Sequence, residues 1–157
     1  MTTALWAIGK SREPWVNEAL AEYRKRLPRL TSFEYREIEA PRAARKAAGA
    51  RVAELEAAPV EKLLGPADRL YLFDERGRAY DSRGFANFLE GLQHGGGSRL
   101  VFLIGGAYGF GESLRRRAAG TVRLSDMTLT HQFARVVAIE QIYRAHTILR
   151  GLPYHND

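Results

Sequence analysis

The chain has 157 residues, 24 lysines and arginines against 18 acidic residues, a formal net charge of +6 and no cysteine. That length supports one domain with a core of its own, and the lack of cysteine excludes disulfides, thiolate nucleophiles and cysteine-ligated metal centres. The positive balance favours a polyanionic partner, with a merely soluble basic protein as the other reading.

No apolar run approaches the roughly 18–20 residues of a membrane span. The N-terminal stretch Met1 to Gly9 is apolar but lacks a basic leader and a small-residue cleavage site. It reads as a first strand rather than a signal peptide, and a cytoplasmic location is expected.

In chain order, Ala4 to Ile8 forms the first strand, closed by Gly9. Pro14 suits a first helical turn, and Trp15, Ala19, Leu20, Tyr23 and Leu27 recur at helical spacing. Phe33 to Ile38 alternates and is placed as a second strand toward a sheet edge. Pro41 to about Leu64 is read as one helix interrupted or bent at Pro59. Gly65-Pro66 is a turn, Arg69 to Phe73 a third strand, Asp74 to Gly84 a polar loop, and Phe85 to Leu92 a helix. A flexible connector from His94 to Ser98 leads into Leu100 to Ile104, a continuous apolar run expected to be buried on both faces. Gly105 to Gly111, a short basic helix, the strand Thr121 to Leu124, the turn Ser125 to His131 and a last helix to Leu149 complete the pattern. Strands alternating with helices predict an α/β domain with a parallel sheet.

The glycine loop matches neither G-x-G-x-x-G nor a P-loop, and there is no G-x-S-x-G. His94, His131, His146 and His155 show no H-E-x-x-H spacing, so no metal site is expected. The loop is either a tight strand–helix turn or half of a ligand crevice. The second reading pairs it with Ser125 to His131, two loops at the carboxyl ends of neighbouring strands clamping one small molecule. Hydroxyls of Ser125 and Thr128 and the apolar side chains of Leu124, Met127 and Leu129 would suit a flat heterocycle such as adenine.

The last helix is apolar on more than one face, which predicts a homodimer built on it. Arg135, Glu140, Arg144 and His146 need partners if they are inside. Glu140 and Arg144 are spaced for an intrahelical pair, or Arg144 lies beside an anionic ligand. Tyr154 and His155 belong either to a frayed terminus or to a tail that stacks on an unpaired base. The basic runs Arg115-Arg116-Arg117 and Arg24-Lys25-Arg26 read equally as solvated helix faces or as phosphate contacts.

Taken together, Ile104-Gly105-Gly106-x-x-Gly109, Leu-Ser-x-Met-Thr-Leu over 124–129, His131-Gln132-x-x-Arg135 through Glu140 to Tyr143-Arg144-Ala, and Gly-x-Pro-Tyr154-His155 resemble one family closely. These are the pseudouridine-N3 methyltransferases of bacterial large-subunit ribosomal RNA, small members of the SPOUT group. Ala7 to Lys10, Glu22 to Leu27 and Phe73-Asp74-x-x-Gly77 extend the resemblance over the whole chain.

The resemblance implies a single SPOUT domain over 1–157 with a C-terminal trefoil knot, a rare exception to unknotted topology. It implies S-adenosyl-L-methionine as cofactor, an obligate homodimer, and a pseudouridine of large-subunit RNA in the assembled ribosome as substrate. Carried over by position, Phe73, Gly105, Gly106, Leu124, Ser125, Asp126, Met127, Thr128 and Leu129 would bind the cofactor. His131, Arg144, Tyr154 and His155 would lie near the target base, with His155 slightly ahead of His131 as proton acceptor. This chain departs from the family at Thr130, where proline is common, and at Ala107-Tyr108. The competing readings are a SPOUT enzyme acting on another RNA position and a non-catalytic RNA-binding factor, which would not take up the cofactor.

Overall fold

The computed structural model describes all residues from Met1 to Asp157. Five parallel strands form one sheet in the order β2-β1-β4-β3-β5. They are β1 (Thr2–Ile8), β2 (Phe33–Ile38), β3 (Arg69–Ala79), β4 (Arg99–Ile104) and β5 (Gly120–Arg123). The helices are α1 (Pro14–Arg26), α2 (Ala50–Leu63), α3 (Ser82–His94), α4 (Glu112–Arg117) and α5 (His131–Leu149). No helix is long and apolar enough to cross a membrane.

The period-two geometry of strands sorts the apolar runs into two cores. Leu5, Ala7, Leu100, Phe102, Ile104, Tyr71 and Phe73 face α1, α3 and α5. Ala4, Trp6, Ile8, Val101, Leu103, Leu70 and Leu72 face the other way, with Ala57 and Val60 of α2 and Leu114 of α4. The two central strands β1 and β4 therefore read as unbroken apolar runs, because helices cover both faces. The edge position expected for Phe33–Ile38 is the one observed.

Three boundaries differ from the sequence reading. The segment from Asp74 is not all loop, since β3 runs on to Ala79 through an irregularity between Phe73 and Arg78. Beyond the end of β4 this extension pairs only with β5, Arg78 opposite Val122 and Ala79 opposite Arg123. A strand covered on one edge tolerates the polar residues that made it look like a loop. Helix α3 starts at Ser82 rather than Phe85, because the Asp81 carboxylate accepts the Gly84 N–H at 2.6 Å and caps it. The helix expected from Pro41 breaks at Gly49 (φ +55°), between a 3₁₀ turn over Arg42–Lys46 and α2, and α2 continues through Pro59.

Arg135 of α5 is fully buried, and its two terminal nitrogens find partners. It donates to the carbonyls of Ile8 (3.0 Å) and Gly9 (2.8 Å) and to Glu37 Oε2 (2.7 Å). The helix is thereby locked onto the carboxyl ends of β1 and β2, next to the site.

Candidate active site

A cavity of about 790 Å³ opens at the carboxyl end of the sheet. That volume lies within the roughly 300–1,000 Å³ typical of small-molecule sites. Three chain segments wall it: Phe73–Arg76 of β3 where it runs past the end of β4, Ile104–Phe110 leaving β4, and Leu124, Ser125 and Met127–Thr130 leaving β5, with Arg115, His131 and Ala134 completing it. The two loops singled out from sequence do face one cavity, but β4 and β5 are not neighbours. β3 lies between them and supplies a third wall.

The β4 loop makes a tight turn, the Gly109 N–H donating to the Gly106 carbonyl at 3.2 Å. Behind it Gly106 presses against Glu56 of α2, where an added Cβ would stand 2.8 Å from the carboxylate oxygen. Past β5, Ser125 Oγ accepts the Met127 N–H at 2.9 Å, and Thr130 Oγ1 caps α5 by accepting the Phe133 N–H at 3.2 Å. A proline at 130 would lack that cap, so this departure from the family pattern has a local function of its own.

Asp74 was not singled out by itself, yet it is the buried charge of the pocket. Its carboxylate accepts from Arg115 at 2.7 Å and from the Arg76 N–H at 2.8 Å. Burial works against ionisation, but these two donors outweigh it and hold the carboxyl below its ordinary range. His131 stands at the cavity rim, where burial and the nearby Arg135 guanidinium push its imidazole toward the neutral form.

Of the residues expected at the cofactor, Phe73, Gly105, Gly106, Leu124, Ser125, Met127, Thr128 and Leu129 line the cavity. Asp126 does not. Its exposed carboxylate pairs with Arg123 at 2.9 Å.

The residues expected near the target base divide into two places. His131 is at the cavity, whereas Arg144, Tyr154 and His155 form a separate cluster around Glu140. Glu140 Oε1 accepts from Arg144 at 2.6 Å and from the Tyr154 hydroxyl at 3.0 Å. Arg144 lies over the Tyr154 ring at 4.7 Å and reaches His155 Nδ1 at 3.1 Å. Tyr154 also packs edge-on against Tyr143 and meets the Tyr23 hydroxyl at 3.2 Å. Burial first, then Tyr23 and Glu140, hold the Tyr154 phenol well above its ordinary range. The tail is thus neither frayed nor free. It is folded back along α5 and tied to α3 by Arg83 and Asp157.

Two of the three consecutive arginines of α4 are occupied within the chain, Arg115 on Asp74 and Arg117 on the carbonyls of Gly65 and Asp68. No group of three or more histidine, aspartate or glutamate side chains is placed to hold a metal.

The family described as "Predicted SPOUT methyltransferase" matches residues 1–155. The chain belongs to the SPOUT methyltransferases. Among curated relatives, ribosomal RNA large subunit methyltransferase H of Geotalea daltonii is 44% identical over 152 residues, covering 97% of each chain. The protein of the same name from Cytophaga hutchinsonii is 38% identical over 156 residues, 99% of this chain and 100% of that one. The crystal structure of a probable rRNA-methyltransferase from Porphyromonas gingivalis aligns with 95% of this chain and 70% of that chain at 19% identity and a TM-score of 0.48. As a SPOUT methyltransferase, this chain needs a donor pocket and an acceptor site, and the three-walled cavity is the candidate for the first.

Proposed function

We propose that the chain is one SPOUT domain that transfers a methyl group from S-adenosylmethionine to N3 of a pseudouridine in large-subunit ribosomal RNA. It acts in the cytoplasm as a homodimer on the assembled ribosome. The observation that carries this reading is the three-walled cavity formed by β3 and the loops after β4 and β5, on a chain that matches its family over residues 1–155.

The donor fits the residues present. Backbone groups of Gly105–Gly109 and Leu124–Thr130 would meet its polar edges, Leu124, Met127 and Leu129 its flat heterocycle, and the Asp74 carboxylate a hydroxyl or cationic group. When bound, this cofactor supplies a methyl group already activated by a sulfonium centre. The protein's part is to orient the acceptor nitrogen, exclude water and hold its proton. An imide N–H must lose that proton, and a neutral imidazole is a suitable acceptor. An arginine beside the ring oxygens would stabilise the charge left on them.

A distance supports the homodimer. His131 and Arg144 sit on the same helix thirteen residues apart, or roughly 20 Å at about 1.5 Å per residue. One chain therefore separates its cavity from its tail cluster. Two copies of α5 packed antiparallel about a two-fold axis would bring each cavity against the partner's Arg144, Tyr154 and His155. The exposed Phe133 and the half-exposed Val137 on the first half of α5 suit that contact. The trefoil knot belongs to the same proposal. Val122 and Arg123 of β5 lie against the extended end of β3 at Gly77, and the chain then runs through Leu124–Thr130 into α5.

The test is transfer of labelled methyl to ribosomes that lack the native methylation, with and without the target pseudouridine. Label on large-subunit RNA, strongly dependent on pseudouridine, is the expected result. Label independent of pseudouridine would move the target. Absence of both label and donor binding would overturn the enzymatic reading. Sedimentation of the protein as a monomer at working concentrations would overturn the composite site.

A further inference from the structure

Glu56, on the second turn of α2, is buried with only 8% exposure, and its Oε2 has no hydrogen-bond partner. A buried carboxyl without a partner is a cost to the fold, because the water it gave up is not replaced. Natural structures keep few such groups, and those they keep tend to serve function rather than stability. The position of Glu56 says what it serves. Both carboxylate oxygens would lie within 3 Å of a Cβ on Gly106, at 2.8 and 2.9 Å. A Cβ on Gly111, at the other end of the same loop, would stand 3.1 Å from the Ala53 carbonyl of α2. Helix α2 is thus the back wall of the loop whose front lines the cavity. Burial also pushes the Glu56 carboxyl up, which favours a form able both to donate and to accept.

We propose that Glu56 is a positioning residue for the donor site, whose carboxyl takes a hydrogen bond from the backbone of the Gly105–Gly109 loop when a ligand fills the cavity. The hydrogen bond unmade in the free fold is made on binding, so Glu56 raises donor affinity at the expense of stability. It touches the loop from behind and does not touch the reacting atoms. This inference rests on the reading of the cavity as the donor pocket.

The test measures S-adenosylmethionine affinity and thermal midpoint for the intact wild type, Glu56→Leu and Glu56→Gln. Glu56→Leu removes the acceptor and fills the same space, so it should melt at or above the wild-type temperature yet bind the donor about tenfold more weakly. Glu56→Gln keeps a carbonyl acceptor and should stay within about threefold of wild-type affinity. A purely structural Glu56 would give the opposite pattern, with Glu56→Leu less stable, and that result overturns the proposal. So does donor affinity of Glu56→Leu equal to wild type. If the wild type itself takes up no donor, the pocket reading fails first and the role of Glu56 falls with it.

Discussion

Arg144 Nη1 lies 3.1 Å from Nδ1 of His155. A guanidinium has only donors, so Nδ1 is the acceptor and the ring proton sits on Nε2, 3.0 Å from Asp157 Oδ1. Both ring nitrogens are engaged within the chain. His155 is available to take a proton from a substrate only after Arg144 releases Nδ1, which makes movement of Arg144 part of any base role for this histidine.

Arg144→Ala should therefore affect chemistry and spare the donor. Single-turnover methyl transfer should fall by about 10²–10³-fold, with S-adenosylmethionine affinity unchanged. A rapid-quench assay beside a donor titration checks this. Equal losses in both would place Arg144 at the donor instead.

His146 gives the fold an acid limit. It is buried with Nε2 unpartnered, and burial, then Arg150, lowers its pKa from the ordinary 6.5 to about 4. The unfolded chain binds this proton first as pH falls, so stability is full above about 6.5 and is lost down to about 4, by roughly 3 kcal/mol. Urea unfolding at pH 7 and pH 5 should show the decline. His146→Phe should flatten this part of the slope.

The Arg135–Glu37 pair is the principal buried charge contact. Glu37 Oε2 also accepts from the Ser11 N–H at 2.7 Å, so one oxygen organises the β1–α1 and β2 ends beside the site. Glu37→Ala leaves Arg135 charged and unpaired and should cost about 3–5 kcal/mol in chemical denaturation. The double variant Glu37→Leu, Arg135→Met should lose less than Glu37→Ala alone, because it removes both charges together.

Gly77 marks where the extended end of β3 lies against β5. A Cβ there would stand 2.5 Å from the Val122 carbonyl carbon and 2.7 Å from its nitrogen, both backbone atoms that cannot turn aside. Gly77→Ala should destabilise by about 1–3 kcal/mol or more. It should also weaken donor binding, since Leu124 and the loop after it start from that crossing. Thermal melting and donor titration read the two effects.

Much of this protein was legible in its residues. Runs such as Leu100–Ile104 and Ala4–Ile8 announce buried parallel strands, because only strands covered on both faces can be apolar at every position. The spacing of glycine, serine and threonine around residues 105–130 marked the cavity walls, because a loop that closes on a ligand needs small residues and free backbone groups. Less visible were features that depend on distant neighbours. Asp74–Ala79 looked like a loop because its strand partner, β5, comes more than forty residues later. Glu56 looked like one more charge on an alanine-rich helix until Gly106 was found against it.

The sequence by itself determined the α/β parallel architecture, the family and two of the three cavity walls, since local periodicity and motif spacing carry that information along the chain. Only the tertiary structure decided that β3 stands between the two loop-bearing strands, that Arg135 is neutralised by Glu37, and that the tail lies on α5 away from its own cavity. Arg135 and Glu37, for example, stand 98 residues apart in the chain. All three arrangements are set by which surfaces are left to bury once the strands have paired, and no local pattern in the chain encodes that choice.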